Sequence, residues 1–151
     1  MTEDILHQIG TIARALDSIA NIEFKDINLS RGQYLYLVRI YEEPGIISDH
    51  LASILNVDRT TAARSIQKLV KENLVSKEKD DKNKKIRHLY VTNKGRELAK
   101  FIQKENIYSN EMALNGLSSV ERDELRNLLQ VVEENVSENW NFVKNGGKRT
   151  Y

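Results

Sequence analysis

The stretch Ser48-Asp49-His50-Leu51-Ala52-Ser53-Ile54-Leu55-Asn56-Val57-Asp58-Arg59-Thr60-Thr61-Ala62-Ala63-Arg64-Ser65-Ile66-Gln67-Lys68-Leu69-Val70-Lys71 decides the fold. Leu51, Ala52 and Leu55 recur at helical spacing, and Ser48 can cap the short helix that carries them. Asn56-Val57 makes a tight turn, after which Asp58 caps a second helix over residues 59 to about 71. Its inward stripe is Ala62, Ile66, Leu69 and Val70, which leaves Arg59, Thr60, Ala63, Arg64, Gln67 and Lys71 on the other side. The period then changes. Residues 74–79 and 86–91 read as two strands, with Leu74, Ser76 and Glu78 on one face and Val75, Lys77 and Lys79 on the other. The connection Asp80-Asp81-Lys82-Asn83-Lys84-Lys85 has no apolar residue, so the hairpin has a charged tip. One of its aspartates is expected to pin a nearby Lys or Arg and shape the loop. Two short helices in a bihelical turn, followed by a basic hairpin, make a winged helix-turn-helix.

Outward from this unit the chain is helical. Ile5, Ile9, Ile12, Leu16 and Ile19 form a seam on a helix over residues 4–20, one that must bury against another helix of this chain or of a partner. Asp26 to Leu29 form a connection, and Ser30-Arg31-Gly32-Gln33 reads as a capping box opening a helix that runs to about residue 43. Glu43-Pro44-Gly45 stops it, and Ile46-Ile47 suggests one ladder pair of a small sheet. Thr92 caps a long helix running toward Asn115, and Ser118-Ser119-Val120-Glu121 is a second capping box. The last helix, over residues 120–143, keeps Leu125, Leu128, Leu129, Val132, Val136 and Trp140 on one side, and the tail beyond it should fray. The fold class is therefore mainly α: residues 1–151 form one domain, with a winged lobe over 30–92 flanked by long helices over 1–22 and 93–144. One small core cannot cover both flanks, which predicts a homodimer held by Ile5, Ile9, Ile12, Leu16, Leu128, Val132, Val136 and Trp140.

Composition removes other classes. With 151 residues, one proline and no cysteine, the chain has neither the turns of an all-β sandwich nor any disulfide, thiolate-metal or cysteine-redox chemistry. His7, His50 and His88 share no ligand spacing, and no phosphate loop or nucleophile elbow occurs, so neither an enzyme, a metal site nor a cofactor is expected. The N-terminus is acidic where a secretory signal would be basic. No apolar run approaches membrane length, so the expected location is cytoplasmic, away from any membrane.

Charge points to a polyanion. The net charge is +1, yet residues 56–96 hold 12 Lys/Arg against 5 Asp/Glu, while the rest holds 11 against 17. A helix-turn-helix lays its second helix in the major groove of double-stranded DNA. There Arg64 can fork onto guanine, Gln67 can pair with adenine, and Ala63 permits close approach. Thr60 and Thr61 can reach base edges or a phosphate, while Arg59 and Lys68 are placed to hold phosphates. Lys82, Lys84, Lys85 and Arg87 make a wing that can follow the backbone or an adjacent minor groove. The same surface would also serve a non-specific architectural protein, and a winged helix can instead assemble proteins without nucleic acid.

The ordered motifs resemble the MarR family of transcriptional regulators, and within it SlyA-like members. They are Leu29-Ser30-Arg31-Gly32-Gln33, then Leu51-Ala52 through Leu55, Val57-Asp58-Arg59-Thr60-Thr61, Arg64, Ile66, Leu69 and Leu74-Val75, and finally Asp80 with Leu89-Tyr90-Val91-Thr92 and Gly95. The resemblance implies triangular homodimers, a recognition helix over residues 58–68, a wing over 82–87, and a repressor. Lys82 and Lys85 stand where the family often has arginine, so this wing offers point charges rather than forks. The resemblance also implies a small aromatic or phenolic effector between the dimer helices and the lobe, with Arg14, Tyr34 and Tyr41 as candidates. By residue type alone the stronger reading is different: tyrosines on an amphipathic helix are usually core, and Arg14 suits a surface or interface salt bridge.

Overall fold

The computed structural model describes residues 4–29 and 32–151. Helix α1 (Ile5–Glu23) starts at Asp4, whose carboxylate accepts from His7 N at 2.9 Å. After a 3₁₀ turn (Lys25–Ile27) come α2 (Gln33–Glu42), α3 (Ser48–Ile54), α4 (Arg59–Lys71), strands β1 (Val75–Lys79) and β2 (Arg87–Val91), α5 (Asn93–Ala113) and α6 (Ser119–Lys144). The capping box read at the start of α2 falls on Ser30 and Arg31, outside the described residues. Gly32, at φ 87°, leads directly into the helix.

Three other caps have the expected chemistry. Asp58 accepts from Thr61 N at 2.7 Å, the Thr92 hydroxyl accepts from Gly95 N at 3.0 Å, and Ser118 and Glu121 bond each other's backbone amides. Ser48 does not cap α3. It is the first helical residue, and Ile47 holds the cap position with no side-chain bond, because the bridge from Ile47 to His88 already fixes the entry angle. The 46–47 step does join the sheet, through that bridge and through Leu89 N bonding Ile46 O at 2.9 Å.

The core belongs to the winged lobe. Leu37 and Ile40 of α2 meet Leu51 of α3, Ala62, Ile66 and Leu69 of α4, Leu89 of β2 and Ala99 and Ile102 of α5. β1 pairs antiparallel with β2 from Val75↔Val91 to Lys79↔Arg87. Leu74, read as part of the first strand, lies just before it; it and Val75 are both buried, and the alternation expected along the strand fails because the remaining four residues project past the core into solvent. Gly95 lets α5 close on this corner, since a Cβ there would lie 2.0 Å from Leu74 O. Hence the first turn of α5 is anchored to the root of the wing.

The outer helices α1 and α6 are bare. α6 has no buried residue and α1 only Ala20. The chain exposes 11394 Å², against roughly 7,900 Å² expected for a folded monomer of this mass. Ile5, Ile12, Leu128 and Val136 are among the exposed apolar side chains. Ile9, Leu16, Val132 and Trp140 are half-buried. The tail does not fray at once: Gly147 N returns to Phe142 O at 2.8 Å and closes the end of α6.

Candidate nucleic-acid interface

Asp58 fixes where the second helix of the motif begins. Its two carboxylate oxygens accept from Thr61 N at 2.7 Å and from the Thr61 hydroxyl at 2.9 Å, which holds the Asp58 carboxyl below its ordinary range. The Thr61 hydroxyl therefore serves the cap. With Ala62, Ile66 and Leu69 buried, geometry turns Arg59, Thr60, Ala63, Arg64, Gln67 and Lys68 outward, and all are exposed. Arg64, Gln67, Lys68 and Lys71 border one shallow depression. Arg59 sits within 3.3 Å of Asp49 on α3, an exposed pair that a phosphate could displace at little cost.

The wing stands beside this face. A groove of about 190 Å³ is lined by Ser48 and Asp49 from α3, Ala63 and Ile66 from α4, and Lys77, Lys85 and Arg87 from the hairpin. The helix and the hairpin thus flank one concavity on one side of the molecule. Lys82, Lys84 and Lys85 are exposed, whereas the Arg87 guanidinium is turned back onto the carbonyls of Lys84 and Ile86 and braces the loop. Among the expected wing contacts, the three lysines offer free charge and Arg87 shapes their backbone.

Asp80 organises the tip differently from the expectation. Among the described residues it pins no Lys or Arg side chain. One carboxylate oxygen accepts from the backbone amides of Lys82 (3.0 Å) and Asn83 (2.9 Å), and the other accepts from His88 Nε2 at 2.8 Å. A carboxylate holding three donors is hard to protonate, and Asp80 is lowered to about 2, with the His88 bond the largest cause. His88 is raised by the same bond and by donating Nδ1–H to Gly45 O at 2.8 Å.

Sequence reading missed Lys77, Asp49 and His88 as parts of this site. Lys77 was legible on a strand face, but only the packing decides that its face looks into the groove. His88 gave no signal, because its partners lie eight and 43 residues away. Asn56 Nδ2 donates to Ser137 Oγ at 2.9 Å, which ties the turn before α4 to α6, and no spacing encodes that link.

Each of the three effector candidates has its own partners. Tyr34 packs on Phe24 and donates to Asp17 at 3.4 Å in a cleft of about 390 Å³ between α1, α2 and α5. Tyr41 lies under the Arg96 guanidinium, 5.8 Å from the ring centre. Arg14 is exposed and bonds Thr11 on its own helix. Among the described residues lining the cleft, the charged ones are Asp17 and Glu105. No group of three or more potential metal ligands occurs among the described residues, and no helix there is long and apolar enough to cross a membrane.

Comparison with known proteins fits this geometry. Residues 29–86 match the model of the MarR family. An uncharacterized HTH-type transcriptional regulator YybA of Bacillus subtilis (strain 168) is 53% identical over 148 residues, 98% of this chain and 99% of that protein. A solved SlyA transcriptional regulator is also 53% identical, with a TM-score of 0.88 over 93% of this chain and 99% of that one. A Listeria monocytogenes structure described as a MarR family transcriptional regulator complexed with 26mer DNA is 50% identical. Its TM-score is 0.95 over 99% of this chain and 100% of that one.

Proposed function

The chain belongs to the MarR family of transcriptional regulators, and from that premise we propose how it works on its DNA: as a homodimer that occupies a pseudo-palindromic duplex and represses the adjacent promoter. The chain is a sequence-specific DNA-binding regulator. The observation that carries this is the shared groove, where the polar side of α4 and the lysine wing face one way. In this arrangement the first turns of α4 enter the major groove, Arg64 and Gln67 meet base edges, and Arg59, Thr60 and Lys68 hold the register on phosphates. Lys82, Lys84 and Lys85 lie along the flanking backbone as point charges. Ala63, at the groove wall, is small enough to let the duplex approach.

The lobe over residues 30–92 does the binding, and the flanks over 1–22 and 93–144 pair two copies. The bare ridge of α6 and the seam of α1 support this division. Pairing sets the two recognition helices about one DNA turn, near 34 Å, apart. Acting on promoters places the protein in the cytoplasm, with no catalytic step in its mechanism. The test is selection of bound duplexes from a random pool, followed by affinity on the selected and a scrambled duplex at several salt concentrations. A ratio of roughly 10³ or more is expected. A ratio near one would make the protein a non-specific architectural binder, and no salt dependence would remove DNA as the partner.

A further inference from the structure

His88 lies at a junction of three segments. It is bridged to Ile47 at the start of α3, bonds the carbonyl of Gly45 on the α2–α3 connection, and bonds Asp80 at the wing root. Both ring nitrogens face oxygen atoms that only accept, each at 2.8 Å. A neutral imidazole has one N–H, so either tautomer would point a lone pair at a carbonyl or at a carboxylate. Only the imidazolium satisfies both. Between the two groups the proton belongs on the ring, because imidazole is the stronger base and two backbone amides further stabilise the Asp80 carboxylate through its other oxygen.

The same bonds set the wing. Asp80 shapes the loop that carries Lys82 and Lys84, and Lys85 and Arg87 of that hairpin line the groove beside α4. We propose that His88 is a positioning residue for DNA binding: as an imidazolium it clamps the wing root to the α2–α3 connection, and loss of its proton loosens the wing and lowers affinity for the duplex. This rests on the DNA-binding reading above. The groups around it favour the charged form. Asp80 and Asp81 lie on the loop, Glu78 is the cross-strand partner on β1, and Glu43 sits on the α2–α3 side, 3.8 Å from His50. Lys79 and Arg87, a ladder pair next to it, oppose them.

The experiment is fluorescence anisotropy of a selected duplex from pH 5.5 to 9.5 at fixed ionic strength, on the full chain and on His88→Gln, His50→Gln and Asp80→Asn. The wild type should lose about threefold or more in affinity as pH rises, the scale of one partly screened, charge-assisted bond. His50→Gln should keep that profile. His88→Gln and Asp80→Asn should be flat and sit near the wild type's high-pH limb. In parallel, nitrogen-resolved NMR of the imidazole should show both ring nitrogens protonated at neutral pH in the free protein. Superimposable wild-type and His88→Gln profiles, or a neutral His88 at pH 7, would overturn the proposal while leaving DNA binding intact. Absence of duplex binding at every pH would overturn the reading on which it rests.

Discussion

Replacing Leu128 and Val136 together by aspartate should split the protein into folded monomers. In one chain these side chains are 59% and 51% exposed, and α6 buries no residue at all. The chain shows about 3,500 Å² more surface than a folded monomer of its mass should, and an interface of that order belongs to the obligate class. Roughly half of each side chain is left to bury, so each contributes about 1 kcal/mol on pairing. Two residues on each of two protomers amount to about 4 kcal/mol, roughly a thousandfold in the dimer dissociation constant, before any carboxylate desolvation. Sedimentation equilibrium at micromolar protein reads this directly, and circular dichroism should stay helical because the core lies in the winged lobe. Duplex affinity should fall by about 10²–10⁴ as the half-sites bind independently. A wild-type chain that sediments as a monomer, or a double variant that still pairs tightly, would refute the assignment of α6 to the interface.

Further outcomes concern the DNA face and its supports. Arg64→Ala should cost about 1–3 kcal/mol on the selected duplex and little on a scrambled one, measured by anisotropy; equal losses on both would remove the base-reading role. Lys84→Ala should weaken both duplexes alike and lower the salt slope by about one unit per half-site. Asp58→Ala should lower the urea unfolding midpoint, since it removes the cap of α4, and it should fray the turn that carries Thr60 and Thr61. The wing loop should be most protected in mid-range pH. Asp80, lowered to about 2, contributes stability that is full above its ordinary value of 3.8 and is lost as pH falls through about 2. His88, raised, contributes stability that is full below its ordinary 6.5 and is lost as pH climbs through its folded value. Amide exchange at Lys82 and Asn83, corrected for intrinsic rates, should show both arms, and Asp80→Asn should abolish the basic one.

What the sequence determined by itself is local. Asp58, Thr92 and Ser118 mark helix starts because a cap needs only a side chain and an amide three residues on. The α4 stripe of Ala62, Ile66 and Leu69 fixes which side faces out, because helical periodicity decides it before any neighbour is known. The charge excess of residues 56–96 names a polyanion for the same reason: it is a sum over residues and needs no coordinates. Ser48 marks the edge of this legibility, since a cap residue by type became the first helical residue once Ile47 paired with His88. Only tertiary structure placed Lys77, Lys85 and Arg87 across a groove from Ala63, tied Asn56 to Ser137, and set His88 between Gly45 and Asp80. It also set Tyr34 against Phe24 and Tyr41 under Arg96. These are meetings of residues far apart in the chain. Their geometry depends on how α2, α4, the hairpin and α5 close around one core, and no period or spacing along the chain records that closure.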